Sequence, residues 1–317
     1  MPDGEAPAGS QLELLGARAA EYVAAAKAAN TLRAYRSDWR EFSAWAAWRE
    51  LEALPATPET VALYLTDLAE AAKTSTIARR LAAIAQAHRA AGVPSPTDDA
   101  TVKAVWAGIR RVHGTATEGA APLTVGLLRR VVEALPDGLG GLRDRVLLLV
   151  GFAGALRRSE LVALDVEDIE QRDEGLVVRI RRSKTDPEGA GRLVGIPYGS
   201  HPATCPVRSV RTWLEATAIS AGPLLRPVNR HGTLGAGRLS AASANRAVQR
   251  AVRHAGLDPT PYSAHSLRAG LATSAAEAGV SERAIMAQTG HRSLAVARSY
   301  IRSGSLFRDN AAAQVGL

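Results

Sequence analysis

The chain has 317 residues, 46% of them hydrophobic, and a formal net charge of +8 at pH 7. That length and apolar share suit a buried core divided between two domains, and the charge favours a polyanionic partner. No run of ~18 apolar residues occurs, so no membrane span is expected. Cys205 is the sole cysteine, which excludes a disulfide or cysteine-metal framework and suits a reducing cytoplasm.

Residues 1–16 are acidic at their start and rich in Pro and Gly, and read as a flexible N-terminus rather than a signal peptide. From Thr31, with Asn30 as the expected N-cap, Leu32, Tyr35, Trp39 and Phe42 recur on one helical face while Arg33, Arg36 and Arg40 line another. Thr57-Pro58-Glu59 reads as the cap and first turn of a second helix running to about Ala72. A third begins near Ser75, with Ile77, Leu81, Ile84 and His88 inward, Arg79 and Arg80 outward, and Gly92 stopping it. A fourth, from about Asp99, buries Val102, Val105, Trp106 and Ile109 and presents Lys103, Arg110 and Arg111. Four amphipathic helices over residues 17–113 predict a helical bundle. Up to His113 there are 13 Lys and Arg against 13 Asp and Glu, so the excess, 26 against 18, lies beyond it. A DNA-binding first domain must therefore segregate its charge onto one face.

Residues 114–122 are small, polar and poorly patterned, and read as a linker. Thr124 then caps a helix carrying Leu127, Leu128, Val131 and Leu135, and a long apolar segment runs over 142–152. Arg157 opens a further helix, and two or three short strands occupy about 176–182 and 192–196, separated by the turn-rich Asp186-Pro187-Glu188-Gly189. Helices are expected over 206–218 and 240–255 and through most of the remainder. The glycines of residues 231–237 follow no strand and open no helix, so that segment reads as a plain loop. The expected fold is mainly α, with a small antiparallel sheet in residues 123–317.

The chemistry concentrates near the C-terminus. His265-Ser266-Leu267-Arg268 puts an imidazole and a guanidinium on one helix face, and Gly290-His291 and Tyr300 follow. Arginine offers a planar fork matching phosphate oxygens, histidine exchanges protons near neutral pH, and a deprotonated tyrosine is an oxygen nucleophile. Together they suggest covalent chemistry on a phosphodiester. Upstream stand Arg157-Arg158-Ser159-Glu160 and, after an alternating segment, Arg182-Ser183-Lys184-Thr185-Asp186. Lysine usage singles out Lys184: the others are Lys27, Lys73 and Lys103, in a chain that otherwise uses arginine for positive charge. An ammonium with a lowered pKa can donate a proton, which a guanidinium does not readily do.

That order, Arg, Lys, His-x-x-Arg, His, Tyr, resembles the tyrosine recombinase (phage integrase) family over roughly residues 123–317. The stretch from Gln86-Ala87-His88-Arg89 to Pro94-Ser95-Pro96 resembles, more weakly, the corresponding region of Cre-like recombinases. The resemblance implies a core-binding, SAM-like helical domain clamping one side of the duplex, followed by a catalytic domain. It further implies that Tyr300 attacks the scissile phosphorus to form a 3′-phosphotyrosyl bond, that Arg157, Arg268 and His291 hold the non-bridging oxygens, that His265 takes or relays the nucleophile's proton, and that Lys184 protonates the leaving 5′ oxygen, with Glu160 orienting Arg157 or His265. No metal or other cofactor is implied. The implied partners are double-stranded DNA and three further copies of the chain, assembled as a tetramer on two sites through a C-terminal tail helix at residues 306–317.

Where the family commonly has a glycine two positions before the first arginine, this chain has Ala155, and a second arginine, Arg158, follows Arg157 at once. Register favours Arg157, one turn from Glu160, with Arg158 the competitor; Arg181 or Arg182 could share phosphate contacts with Lys184. Two other functions fit the same residues: a type IB topoisomerase, disfavoured by the compact first domain and short tail, and a non-catalytic DNA-binding protein, disfavoured by the complete residue set.

Overall fold

The computed structural model of the chain describes residues 15–18, 22, 28–115, 119–183, 186, 189–291, 294 and 298. Lys184, Tyr300 and the expected helix at 306–317 lie outside the described residues.

Helix α1 (Ala29–Trp48) starts on the N-terminal side of the expected cap, because the Asn30 side chain accepts a hydrogen bond from Arg33 one turn on instead of capping the helix. Helix α2 (Pro58–Ala69) is capped by Thr57, whose hydroxyl accepts from the Thr60 N–H at 3.2 Å, with Pro58 in the first turn where no N–H is missed. Helix α3 (Thr74–Ala90) stops before Gly92, whose φ of 70° lies in the left-handed region that favours glycine. Helix α4 (Ala100–His113) is capped by Asp99, which accepts from the Thr101 N–H at 2.7 Å.

These four helices bury Phe42, Val61, Tyr64, Leu65, Ile77, Ile84, Val102 and Ile109 in one core. Its aromatic centre has Phe42 and Tyr64 ring centroids 4.9 Å apart in a tilted arrangement. His88 is fully buried, and both ring nitrogens are used: Nε2 accepts from the Ala56 N–H at 3.0 Å, so Nδ1 donates to the Ile84 carbonyl at 2.9 Å. It is a neutral structural histidine. Arg79 and Arg80 are not simply solvated. Buried Asp38 accepts both forks of Arg79, at 2.8 and 2.9 Å, and the mostly covered Arg80 donates to Tyr64 Oη at 2.6 Å and pairs with Glu41. A buried carboxylate on α1 requires such pairing, and it ties α1 to α3.

Contacts divide the chain into Met1–Glu118 and Gly119–Leu317. In the second unit, α5 (Val125–Glu133) follows Thr124, although its first N–H is satisfied by the Ser274 hydroxyl at 3.1 Å rather than by Thr124. Helix α6 (Leu139–Ala153) is apolar around most of its circumference and runs through the core, which is where such a helix must lie. Around it pack α7 (Arg158–Ala163), α8 (Pro206–Thr217), α9 (Ala241–His254) and α10 (His265–Glu277). Trp213 of α8 is fully buried and its indole N–H donates to the Leu224 carbonyl at 2.8 Å. Helix α11 (Glu282–Thr289) is capped by Ser281. Gly270 lets α10 touch the incoming chain: a Cβ there would lie 2.1 Å from the Leu123 carbonyl oxygen.

The sheet is antiparallel in the order β1-β2-β3, with β1 at Ile169–Arg172, β2 at Gly175–Ile180 and β3 at Arg192–Pro197. Pairing Leu176 with Ile196 and Val178 with Val194 directs one apolar face into the core, while Arg179 is exposed. The architecture is mainly α with one small sheet. Among the described residues no helix is long and apolar enough to cross a membrane.

Candidate active site

Arg157 precedes α7 with its backbone still extended, and its N–H donates to Glu160 Oε2 at 3.0 Å. Its guanidinium returns to the other oxygen of the same carboxylate at 2.7 Å. Glu160 is 2% exposed, so its charge requires partners, and Arg192 at the start of β3 supplies a second at 3.4 Å. Arg158 is exposed, whereas Arg157 makes the contacts with Glu160 that the register favouring Arg157 requires.

Arg268, 1% exposed on α10, is held by two carbonyls: Ala155 at 2.8 Å and Thr289 at the end of α11. Arg192 donates to the neighbouring Gln288 carbonyl at 3.1 Å. The last carbonyls of a helix lack intrahelical partners and carry the negative end of its dipole, so the C-terminus of α11 suits two guanidinium groups. Gln288 adds its own clamp, its amide donating to the Ala153 and Gly195 carbonyls at 2.7 and 3.1 Å. Gly290 closes the helix at φ 65°, and a Cβ there would stand 3.1 Å from the Arg192 guanidinium carbon, so glycine serves both the turn and the arginine.

Ala155 occupies the position where a glycine was expected, with φ of 47°. It adopts the left-handed backbone regardless, at a cost of ~1–2 kcal/mol for an L-residue, and that turn aims its carbonyl at Arg268. An alanine thus adopts here a backbone that glycine adopts more readily.

Both histidines feel this arrangement. His265 opens α10; burial lowers its pKa, and the charges of Arg268 and Arg157 lower it further. His291 is pushed down to about 4 by burial, then by Arg268, Arg157, His265 and Arg192. The two rings and the three guanidinium groups are therefore close enough to act on one another, and both rings are neutral at pH 7. Burial also lowers the pKa of Arg192, with Glu160 pulling the other way and Arg157 adding to the burial. A cavity of ≈ 270 Å³ adjoins this cluster, lined by Ser183, Asp186, Arg192, Met286, Gly290 and His291 among others. Asp186 organises its hairpin wall, accepting from the Ala190 and Gly191 N–H groups at 3.1 and 2.8 Å. Ser183 and Asp186 flank Lys184, which with Tyr300 lies outside the described residues. Arg181 is drawn to Asp165 and Asp168 instead.

The structure thus brings together Arg157, Glu160, His265, Arg268 and His291, widely separated in sequence. Of the residues expected to meet DNA, Arg33, Arg36, Arg40, Lys103, Arg110 and Arg111 are exposed on α1 and α4, whereas Arg79 and Arg80 are engaged by Asp38, Glu41 and Tyr64. Sequence reasoning missed Arg192, whose only signal was an arginine after the small Gly189-Ala190-Gly191, and Thr289, read as ordinary helix.

Residues 123–305 match the phage integrase family, and residues 20–91 match the phage integrase N-terminal SAM-like domain. The chain is 40% identical over 303 residues to an integrase/recombinase XerD homolog of Selenomonas ruminantium, covering 94% of this chain and 89% of that one. The chain belongs to the phage integrase family. It is a tyrosine recombinase. The Cre recombinase of Escherichia phage P1 is 28% identical over 285 residues, covering 83% of this chain and 81% of that one. In fold, the tyrosine recombinase is similar to XerH site-specific recombinase bound to its difH substrate, with a TM-score of 0.61 at 19% identity, covering 81% of this chain and 72% of that one. It is likewise similar to a lambda integrase dimer bound to a core site, with a TM-score of 0.59 at 19% identity over 90% and 75% of the two chains. The expected family and fold class hold.

Proposed function

We propose that this tyrosine recombinase exchanges strands between two DNA sites, working as a tetramer through a 3′-phosphotyrosyl intermediate. The observation that supports this reading best is the convergence of Arg157, Arg268, His265 and His291, with both imidazoles held below their ordinary range by burial and then by the surrounding positive charge. Three guanidinium groups around the one buried carboxylate of Glu160 favour a further anion, and a phosphodiester supplies one. In this reading residues 17–113 form the core DNA-binding domain and 123–317 the catalytic domain, joined by the linker at 114–122.

Tyr300 Oη attacks the scissile phosphorus as the bond to the 5′ oxygen breaks. The tyrosyl proton passes to His265, and Lys184 donates one to the departing oxygen, so charge does not accumulate on either side. Arg157 and Arg268 stabilise the charge of the pentavalent transition state as donors already in position, with Glu160 holding Arg157, and His291 adds a hydrogen bond to the same oxygens. The phosphotyrosyl bond stores the energy of the broken ester for rejoining, so the reaction needs no nucleotide. Exposed Arg33, Arg36, Arg40, Lys103, Arg110 and Arg111 contribute phosphate contacts from the first domain, with Arg79 and Arg80 bracing α1 behind them.

The test is trapping on a nicked suicide substrate carrying the recombination site. The wild-type chain is expected to form a covalent adduct, and Tyr300→Phe to bind the same DNA without forming one. Persistent adduct in the variant moves the nucleophile elsewhere, with Tyr262 the nearest alternative in sequence. Relaxation of supercoiled plasmid with no exchange between two sites would favour the topoisomerase reading instead.

A further inference from the structure

Thr289 ends α11 between the two groups that matter most to the phosphate. Its carbonyl accepts from Arg268, and its hydroxyl lies 2.9 Å from His291 Nδ1. The residue is fully buried, so no solvent competes for that hydroxyl. The same oxygen lies 2.7 Å from the Ile285 carbonyl and 3.4 Å from that of Met286. Carbonyls only accept, so the single hydroxyl proton is directed at Ile285, and the lone pairs of the hydroxyl are left for His291. A ring nitrogen at that distance must then be the donor.

We infer that Thr289 is a positioning residue that holds His291 as the tautomer with its proton on Nδ1, leaving Nε2 as the atom that takes up a proton. This rests on the recombinase reading of the site and refines it. His291 then contributes a hydrogen bond to a phosphoryl oxygen only after protonation at Nε2. The groups facing it decide when that happens: Arg268 and His265 from α10, Arg157 before α7 and Arg192 from β3 oppose a further positive charge, with Asp186 lining the same cavity and Glu160 paired to Arg157 and Arg192 as the acids on this side. An arriving phosphodiester reverses that balance. The imidazolium forms when the substrate is seated, so the donor is present for the anion and absent without it.

His88 in the first unit is a built-in comparison, since there a carbonyl takes the Nδ1 proton and a backbone N–H takes Nε2. Both histidines are fixed in one tautomer.

The test uses the full chain labelled with 15N-histidine, with His291 assigned by its loss in His291→Gln. Long-range 1H–15N spectra of the DNA-free protein are expected to show a neutral His291 ring protonated on Nδ1 in wild type and Thr289→Ser, and a mixture of tautomers in Thr289→Val, which keeps the shape and the carbonyl to Arg268 but removes the hydroxyl. On the suicide substrate, Thr289→Val is expected to cleave at least ~10-fold more slowly at unchanged DNA affinity, a smaller loss than the ~10²–10⁴-fold of removing an acid–base group outright, with Thr289→Ser restoring the rate. A wild-type ring protonated on Nε2, or a Thr289→Val enzyme with wild-type spectra and rate, overturns the inference. Failure of the wild-type chain to form any covalent adduct overturns the recombinase reading instead, and the spectra still decide the tautomer.

Discussion

Two histidines are held below their ordinary range by burial and by the guanidinium groups beside them, so an arriving anion is expected to raise their proton affinity. Between about pH 4 and the ordinary histidine value near 6.5, His291 is neutral in the folded chain and protonated in the unfolded one. The unfolded state therefore binds more protons there, and stability rises with pH across that window and falls as pH drops through it. His265 contributes in the same direction. DNA should reverse the effect, because a phosphodiester favours the charged rings. Calorimetric titration at pH 6 in buffers of different ionisation enthalpy should show net proton uptake on binding, lost in His291→Gln and His265→Gln together. Equal heats in all buffers would mean that neither ring titrates with the substrate. Glu160 makes the complementary case. It is the buried carboxylate between Arg157 and Arg192, and Glu160→Gln leaves two guanidinium groups without their shared anion. Removing one partner of a fully buried pair costs ~3–5 kcal/mol; with both arginines partly exposed, about 2–3 kcal/mol is expected, read from urea unfolding. Cleavage should fall with it, and unchanged stability would show that the arginines do not depend on Glu160.

At the scale of elements, the β2–β3 hairpin brings a lysine's flanks to the cavity that His291 lines. Lys184→Ala is expected to slow cleavage by ~10²–10⁴-fold if the ammonium is the general acid. A substrate with sulfur at the 5′ bridging position leaves as a thiolate and needs no proton, so it should restore the rate. No rescue would reduce Lys184 to a phosphate contact. The long, periodic elements were legible in sequence because one face of each is apolar, and α2, α4, α8 and α9 start at the caps or prolines that signal them. Strand β1 was not, since Ile169-Glu170-Gln171-Arg172 is four residues with one apolar side chain and is defined only by its pairing with β2. The start of α1 was misread because Asn30 had two uses, cap or partner to Arg33, and only the fold decides between them. The site was legible in its spaced motifs and hidden in its supports. Arg192 and Thr289 act through a helix terminus, a feature that exists only once α11 is docked.

For the whole molecule, charge sorts by pairing. The first unit has as many acids as bases up to His113, yet Asp38 and Glu41 are absorbed by Arg79 and Arg80, which leaves Arg33, Arg36 and Arg40 exposed along α1. Neutral composition is thus compatible with a basic face. The remaining coupling that strand exchange requires is between copies of the chain, and the tail is the proposed agent. Gly304-Ser305 interrupts the helical pattern after Tyr300, and Leu306, Phe307, Ala311, Val315 and Leu317 then offer an apolar set too small to fold alone but sufficient to fill a groove on a neighbouring catalytic domain. Such a link would join the position of each Tyr300 to the occupancy of the next protomer, a route by which only some subunits would cleave at a time. Truncation after Ser303 is expected to leave binding to a single half-site nearly intact while abolishing cooperative pairing and recombination between full sites, measured by gel shift and a two-site plasmid assay. If the truncated chain pairs and recombines sites at the parental rate, the coupling resides elsewhere, and the contacts of the first domain become the next surface to disrupt.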